Sequence, residues 1–393
     1  MNMLENWKVN AFIGIIIIII LIEFIRIDRR PYNNNKNNNN KNNNNKNNNN
    51  NNRIIKESYQ DYKEETINLP FKINYLNPED SSKLFPLNNN YLSKFNENKM
   101  SYQVREFETL NECVDRYRTN SLLKINDSEI KAFERLVFEM MTILENDNNT
   151  SIYLLTDILP NCSIAKGDIW LEGGMPHTHD MTIIFPYDMF RKLSIIGLDN
   201  IGKTDYAINY FGKTIIHELV HIEQRLNKDK YNILYRQWGF KQVEHLNGME
   251  DALYFNRINP DGLENNWLWR YPIIEKSLNN KNHNNWYWIG AVHSPNSVNL
   301  RDVNYMAYPI TMLEGNIASL NGIKRPFPLY QLNDYNNFFG IDTNHYHPNE
   351  IVAEYMSIYY YTSIDNKLNK NIENIENIEK NKGYKIFINE FNL

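Results

Sequence analysis

His217-Glu218-Leu219-Val220-His221 is the stretch on which the reading of the whole chain turns. Residues four apart lie on one face of an α-helix, so His217 and His221 can offer both imidazoles to a single metal ion. Glu218, beside the first of them, sets a carboxylate where it can take a proton from a metal-activated water. Tyr210-Phe211-Gly212-Lys213-Thr214-Ile215-Ile216 precedes the motif and Ile222-Glu223-Gln224-Arg225-Leu226 follows it. Ile215, Ile216, Leu219, Val220 and Ile222 then form a broad apolar face, which predicts a helix buried beneath a cleft rather than one solvated at the surface.

A catalytic zinc takes three protein ligands and keeps one position open, so the two histidines call for a third group. The metzincin pattern needs Gly three and His six residues beyond the second histidine; Gln224 and Asn227 stand there, and that class is excluded. Further on comes His345-Tyr346-His347-Pro348-Asn349-Glu350-Ile351-Val352-Ala353-Glu354-Tyr355-Met356. Pro348 marks a helix start, Ile351, Val352 and Met356 suit a packed helix, and Glu350 and Glu354 fall one turn apart on one face. Two buried carboxylates are costly without a cation. Zinc held by Glu350, with Glu354 accepting the imidazole N–H of one motif histidine, answers both needs. His245, Glu250, His293, His345 and His347 stay open as competing third ligands.

Together the two stretches, roughly 206–226 and 344–358, resemble the gluzincin metallopeptidases. The E-x-x-A-E form, Glu350 to Glu354, is similar to that of the anthrax lethal factor type of peptidase, and Asn349-Glu350 half meets the thermolysin-like N-E-x-x-S-D form. The resemblance implies an α+β zincin-like domain with a small mixed sheet, a Zn²⁺ cofactor on His217, His221 and Glu350, Glu218 as general base, and a protein or peptide substrate. It also implies a Tyr or His that steadies the oxyanion, for which Tyr346, Tyr355 and His347 are candidates by position. In such folds the strand before the motif helix borders the cleft and pairs with an extended substrate, which points to Thr182–Phe185. Two departures stand out: Glu223 is charged where the extended signature is usually apolar, and the long separation of His221 from Glu350 implies an inserted subdomain. A catalytically inactive zincin-fold binding or structural protein is the rival reading. Such a protein is expected to have lost Glu218 or a ligand, and neither is missing. A structural zinc, the other rival, would be closed by four protein ligands.

The 393 residues are 42% hydrophobic, enough for one sizeable domain or two small ones. A net charge of -5 gives no electrostatic reason to expect nucleic acid. Cys113 and Cys162 make neither a disulfide framework nor a thiolate zinc site, and a single bridge between them stays open. After a flank over 1–10, residues 11–22 form an apolar run with six consecutive Ile and no small-residue cleavage site follows it, so 11–27 reads as an uncleaved single-pass anchor. Arg26, Arg29, Arg30, Lys36, Lys41 and Lys46 outweigh Lys8 and set the catalytic part on the cytoplasmic side. The Asn-rich tract within 28–53 reads as a solvated tether, 54–120 as an irregular extension, 121–365 as the zincin-like catalytic domain and 366–393 as a tail, helical or loose.

Within the domain, Asn126-Asp127-Ser128 caps a helix carrying Ile130, Phe133, Leu136, Val137, Met140, Met141 and Leu144 at helical spacing. Buried strands are predicted at 151–158 and 168–171, a further strand at 181–185, a short helix at 187–196, the motif helix from near Tyr206 and another helix at 228–238. His177 and His179 read as hydrogen-bonding turn residues at the head of the third strand. Strands are also predicted at 286–291 and 303–308, where Trp and Tyr at strand spacing suit a core.

Overall fold

The computed structural model describes residues 68–103, 109–201, 207–262, 266–272, 285–314, 316–340, 345–368 and 380–393, all within one unit, Glu65–Leu393. The expected anchor over 11–27 and the tether over 28–53 lie outside the described residues. Among the described residues no helix is long and apolar enough to cross a membrane. That finding corrects the single-pass localisation expected from the sequence.

The first sheet holds β1 (Asn74–Tyr75), β2 (Leu122–Leu123), β3 (Ser163–Gly167), β4 (His177–His179) and β5 (Thr182–Pro186) in the order β1-β3-β5-β4, with β2 on β3. β1, β3 and β5 run parallel and β4 runs antiparallel to β5. Thr182–Phe185 is therefore an interior strand, and the edge belongs to β4, the strand that carries both histidines expected in a turn. Alternation along β5 buries both faces of this sheet. Ile183 and Phe185 join the main core with the motif helix, while Ile184 packs with Phe85, Tyr91 and Tyr117 from the segment expected to be an irregular extension. That segment in fact contributes helices Glu97–Gln103 and Leu110–Asn120, the second opened by a Thr109–Glu112 capping box.

The predicted helix after Asn126 spans Asp127–Asn146, and its capping box uses Asn126 and Glu129. Two predicted strands are overturned. Residues 151–158 are helical, with a π turn over Leu154–Ile158, because Leu154, Leu155, Ile158 and Leu159 all turn into the core, an i, i+1, i+4, i+5 helical spacing. The strand expected at 168–171 lies just upstream, as β3; Asp168 and Ile169 form a turn that leaves Ile169 exposed.

The second sheet is formed by β6 (Phe240–Gln242), β7 (His245–Asn247), β8 (Trp267–Trp269), β9 (Trp286–His293), β10 (Val303–Met312), β11 (Ile317–Leu320) and β12 (Phe327–Pro328). Its order is β6-β8-β9-β10-β11-β7, with β12 on β10. In sequence it lies between the motif helix and the helix that bears Glu350. The motif helix, Lys213–Leu226, follows a π turn over Ala207–Gly212, and the helix bearing Glu350, Pro348–Leu368, packs along it. Gly212 permits this approach: a Cβ there would stand 2.2 Å from the Tyr360 hydroxyl, which itself donates to the Ile208 carbonyl. The C-terminal tail closes with helix Lys382–Phe391, whose Tyr384 and Phe387 are buried. Cys113 and Cys162 are free and buried.

Candidate metal centre

His217 and His221 leave the motif helix on one face, with ring centroids 4.8 Å apart. The neighbouring helix brings Glu350 against both: Oε2 lies 3.3 Å from His217 Nε2 and Oε1 lies 3.7 Å from His221 Nε2. One ligand atom from each of the three falls within 4.8 Å of the others, the clustering that a shared cation needs. None of the competing candidates, His245, Glu250, His293, His345 or His347, belongs to such a group among the described residues. His293 is stacked on Tyr102, and His345 Nδ1 meets the Gly340 carbonyl.

The surrounding side chains orient these three. His221 Nδ1 bonds Gln224 Oε1 at 3.0 Å, leaving Nε2 for the shared point, and Gln224 is tied in turn to the Asn349 carbonyl. His217 Nδ1 lies 4.0 Å from Glu354 Oε2, the outer limit of an ion pair and longer than the hydrogen bond expected from the sequence. Asn259 Nδ2 donates to Glu350 Oε1 at 2.6 Å and to the Tyr346 hydroxyl at 3.1 Å. Glu223, the charged residue in an otherwise apolar signature, is buried and accepts hydroxyl bonds from Tyr153 and Tyr231 and an ion pair from Lys230. It joins the motif helix to its neighbours.

Glu218 is 4% exposed, and its Oε2 has no hydrogen-bond partner. Burial pushes its pKa well above the carboxylate range and the Asp261 charge adds to the effect, against the pull of His217 and Arg225. Burial would lower His217, but the bond and charge of Glu350, with Glu218 and Glu354, raise it to about 9. Burial would raise Glu350, yet His221 and His217 bring it far below the usual range. Without a metal, the site thus holds a His217 imidazolium against a Glu350 carboxylate. Its three converging ligand atoms and the orphaned Glu218 oxygen fit a divalent cation.

A cleft of about 810 Å³ opens over the site. Edge strand β4 and the preceding Glu172–Pro176 turn line one side, and Arg257, Asn259 and Asp261 line another. Asp261 is a neighbour that sequence reasoning missed: it forms a second close group with Glu218 and His221, held by Thr178 N at 2.7 Å and by the Thr178 hydroxyl. Asn259-Pro260-Asp261-Gly262 carries only a turn signature. The sequence therefore signals a bend there, and nothing in it says that the bend ends at the metal site.

The three residues considered for the oxyanion sit differently. Tyr355 is turned away, its hydroxyl donating to the Phe339 carbonyl at 2.9 Å in the core. His347 packs against Gly262 and accepts from Asn349 N. Tyr346 stands behind the cleft wall, its hydroxyl accepting from Arg257 and Asn259, each at 3.1 Å. His177 Nδ1 bonds the Met175 carbonyl at 2.9 Å, and its Nε2 is buried without a partner in the cleft lining. His179 is wedged between the Phe85 and Tyr91 rings. No protein-family model matches this chain, and neither does any curated protein or solved structure.

Proposed function

We propose that the protein is a zinc-dependent metallopeptidase of gluzincin-like design, with an α+β zincin-like domain. The observation that carries this reading is the convergence of His217, His221 and Glu350 within 4.8 Å, beside an orphaned Glu218 oxygen. His217, His221 and Glu350 would hold the ion, with Gln224, Glu354 and Asn259 fixing their orientation. Zinc bound there would supply Lewis acidity, polarising the scissile carbonyl and making water nucleophilic near neutral pH. Glu218 takes the proton of the water that attacks the carbonyl and returns it to the departing amine as the C–N bond breaks. The orphaned Oε2 suits that task, since no protein donor has to be displaced first. The ligand set has three protein groups and faces an open cleft, as a catalytic and not a structural zinc requires.

The test is paired. Purified protein is expected to hold about one zinc per chain, retained in Glu218→Gln and lost in Glu350→Ala. Glu218→Gln abolishes peptide hydrolysis with the circular dichroism spectrum unchanged. Zinc content indifferent to Glu350→Ala sinks the ligand assignment, and an unmodified, zinc-loaded protein that cuts no peptide in a diverse library sinks the activity.

A further inference from the structure

The charges lining the cleft do not balance. Each carboxylate there has a claimant. Glu172 is paired with Lys99 at 2.9 Å, and Asp261 is held by Thr178 with Arg225 at 3.6 Å. Glu218, Glu350 and Glu354 belong to the metal centre. On the same lining stand Lys213, Arg257 and Arg301, and among the described residues none of the three forms an ion pair with a carboxylate. Lys213 lies over the Tyr361 ring, and Arg301 donates to the Gly174 carbonyl.

Arg257 is the innermost of these cations by its surroundings. Its guanidinium lies over the Tyr346 ring at 5.4 Å and gives one hydrogen bond, to the Tyr346 hydroxyl at 3.1 Å. Its backbone is pinned to the second sheet by the bond from its N–H to the Ala291 carbonyl at 2.7 Å. A guanidinium has five donors in a planar fork that matches a carboxylate, and it keeps its charge at any ordinary pH. Glu350 is near enough to feel that charge. Once Glu350 is committed to a metal, however, Arg257 is a largely enclosed cation with donors to spare and no anion, a costly arrangement unless a ligand completes it.

We propose that Arg257 is the specificity-determining residue of the cleft and receives a carboxylate of the substrate, so that the peptides bound over the metal are acidic near the scissile bond. The inference rests on the peptidase reading of the same site. The carboxylate is either an Asp or Glu side chain or the C-terminus of the peptide, and Lys213 and Arg301 add a positive field that draws such chains in. A charge-assisted pair of this kind is worth roughly tenfold or more in binding.

Two random peptide libraries, one with free and one with amidated C-termini, are passed over immobilised, zinc-loaded Glu218→Gln protein, and retained peptides are sequenced by mass spectrometry. Peptides with Asp or Glu are expected to be retained about tenfold over their Asn or Gln counterparts. The preference should vanish in Arg257→Met/Glu218→Gln and turn toward Lys and Arg in Arg257→Glu/Glu218→Gln. Loss of retention confined to the amidated library assigns the carboxylate to the C-terminus; retention in both assigns it to a side chain. Parallel kcat/KM values for the hydrolysing protein separate this role from a general one. If Arg257→Met lowers kcat equally for acidic and neutral peptides, Arg257 acts on the oxyanion and the proposal falls. It also falls if Arg257→Lys and Arg257→Met, both folded by circular dichroism and both holding zinc, keep the preference of the unmodified protein. Because retention is read on a non-hydrolysing variant, failure of the protein to cut any peptide would overturn the peptidase reading and leave the carboxylate preference to be judged separately.

Discussion

On the proposed zinc reading, the electrostatics of the metal-free site make binding of the ion a proton-releasing reaction. His217 titrates at about 9 because Glu350, Glu218 and Glu354 outweigh the effect of its burial. A metal ligand must be a neutral imidazole, so at pH 7 the ion has to displace a proton from His217. That proton is bound in the free site and gone in the complex, so affinity rises with pH, tenfold per unit, and levels off above about 9. Between pH 9 and pH 7 that amounts to about 100-fold, or about 2.7 kcal/mol, whereas a histidine of ordinary pKa would show almost no dependence over this range. Glu218 acts in the same direction. Burial and the Asp261 charge raise its pKa well above the carboxylate range in the free site, and an adjacent dication would lower it again, favouring the base the chemistry needs. Calorimetric titration of chelator-buffered zinc in buffers of different ionisation enthalpy counts the protons. Glu218→Gln is expected to release about one near pH 7, and the unmodified protein no fewer. An affinity that is flat from pH 7 to pH 9 in both proteins would refute the assignment of the His217–Glu350 pair as the metal-free ground state.

Two further outcomes depend on neighbouring contacts. Asn259→Ala removes the 2.6 Å bond that orients Glu350 and is expected to weaken zinc binding by roughly 10- to 100-fold in chelator competition with the fold intact; an unchanged affinity would free Glu350 of that dependence. Glu172→Gln leaves Lys99 as an uncompensated buried cation and should cost about 3–5 kcal/mol in chemical denaturation, much of it recovered in Glu172→Leu/Lys99→Met; equal losses in the single and double variants would mean that the hydroxyl bonds from Tyr91 and Tyr117, not the ion pair, carry the stability.

The elements legible in the sequence are those whose own period is strong. The helix Asp127–Asn146 announces itself through the Asn126–Glu129 box and a run of core residues at helical spacing, and the helix of Glu350 through Pro348. Strands are legible at 286–291 and 303–308 from their density of aromatic residues, and the structure extends them to the eight residues of β9 and the ten of β10. Where an apolar run is short, tertiary context decides. Ser151–Ile158 is as apolar as a buried strand, and it coils because its π turn packs directly on the motif helix, where helical spacing turns Leu154, Leu155 and Ile158 inward together. The edge strand is misread for a related reason: β5 is the stronger strand by composition, but the three residues of β4, which carry no strand signal of their own, pair along it and take the edge. Arg257, Asn259 and Asp261 are invisible in the sequence because their role comes from long-range placement, and a turn sequence is the same wherever the turn points.

That placement also accounts for the long separation between the motif and Glu350. The chain leaves the motif helix, builds the second sheet and returns with Pro348–Leu368, so the sheet lies between the two histidines and the carboxylate in sequence. Its part is not that of a spacer. Asn256 bridges to Val292, Arg257 N–H bonds the Ala291 carbonyl, and His293 N–H bonds the Phe255 carbonyl, so β9 fixes the register of residues 255–257. The turn Asn259-Pro260-Asp261-Gly262 comes next and is delivered to the metal site, where Asn259 holds Glu350 and Asp261 stands beside Glu218 and His221. The two helices bring the three candidate ligands together, and the loop that β9 holds in register supplies the groups that orient Glu350, raise the pKa of Glu218 and give the cleft its inner cation. On the proposed reading, the metal chemistry and its selectivity are thus built by different parts of the chain, and for that reason two short motifs point to the first while leaving the second unread.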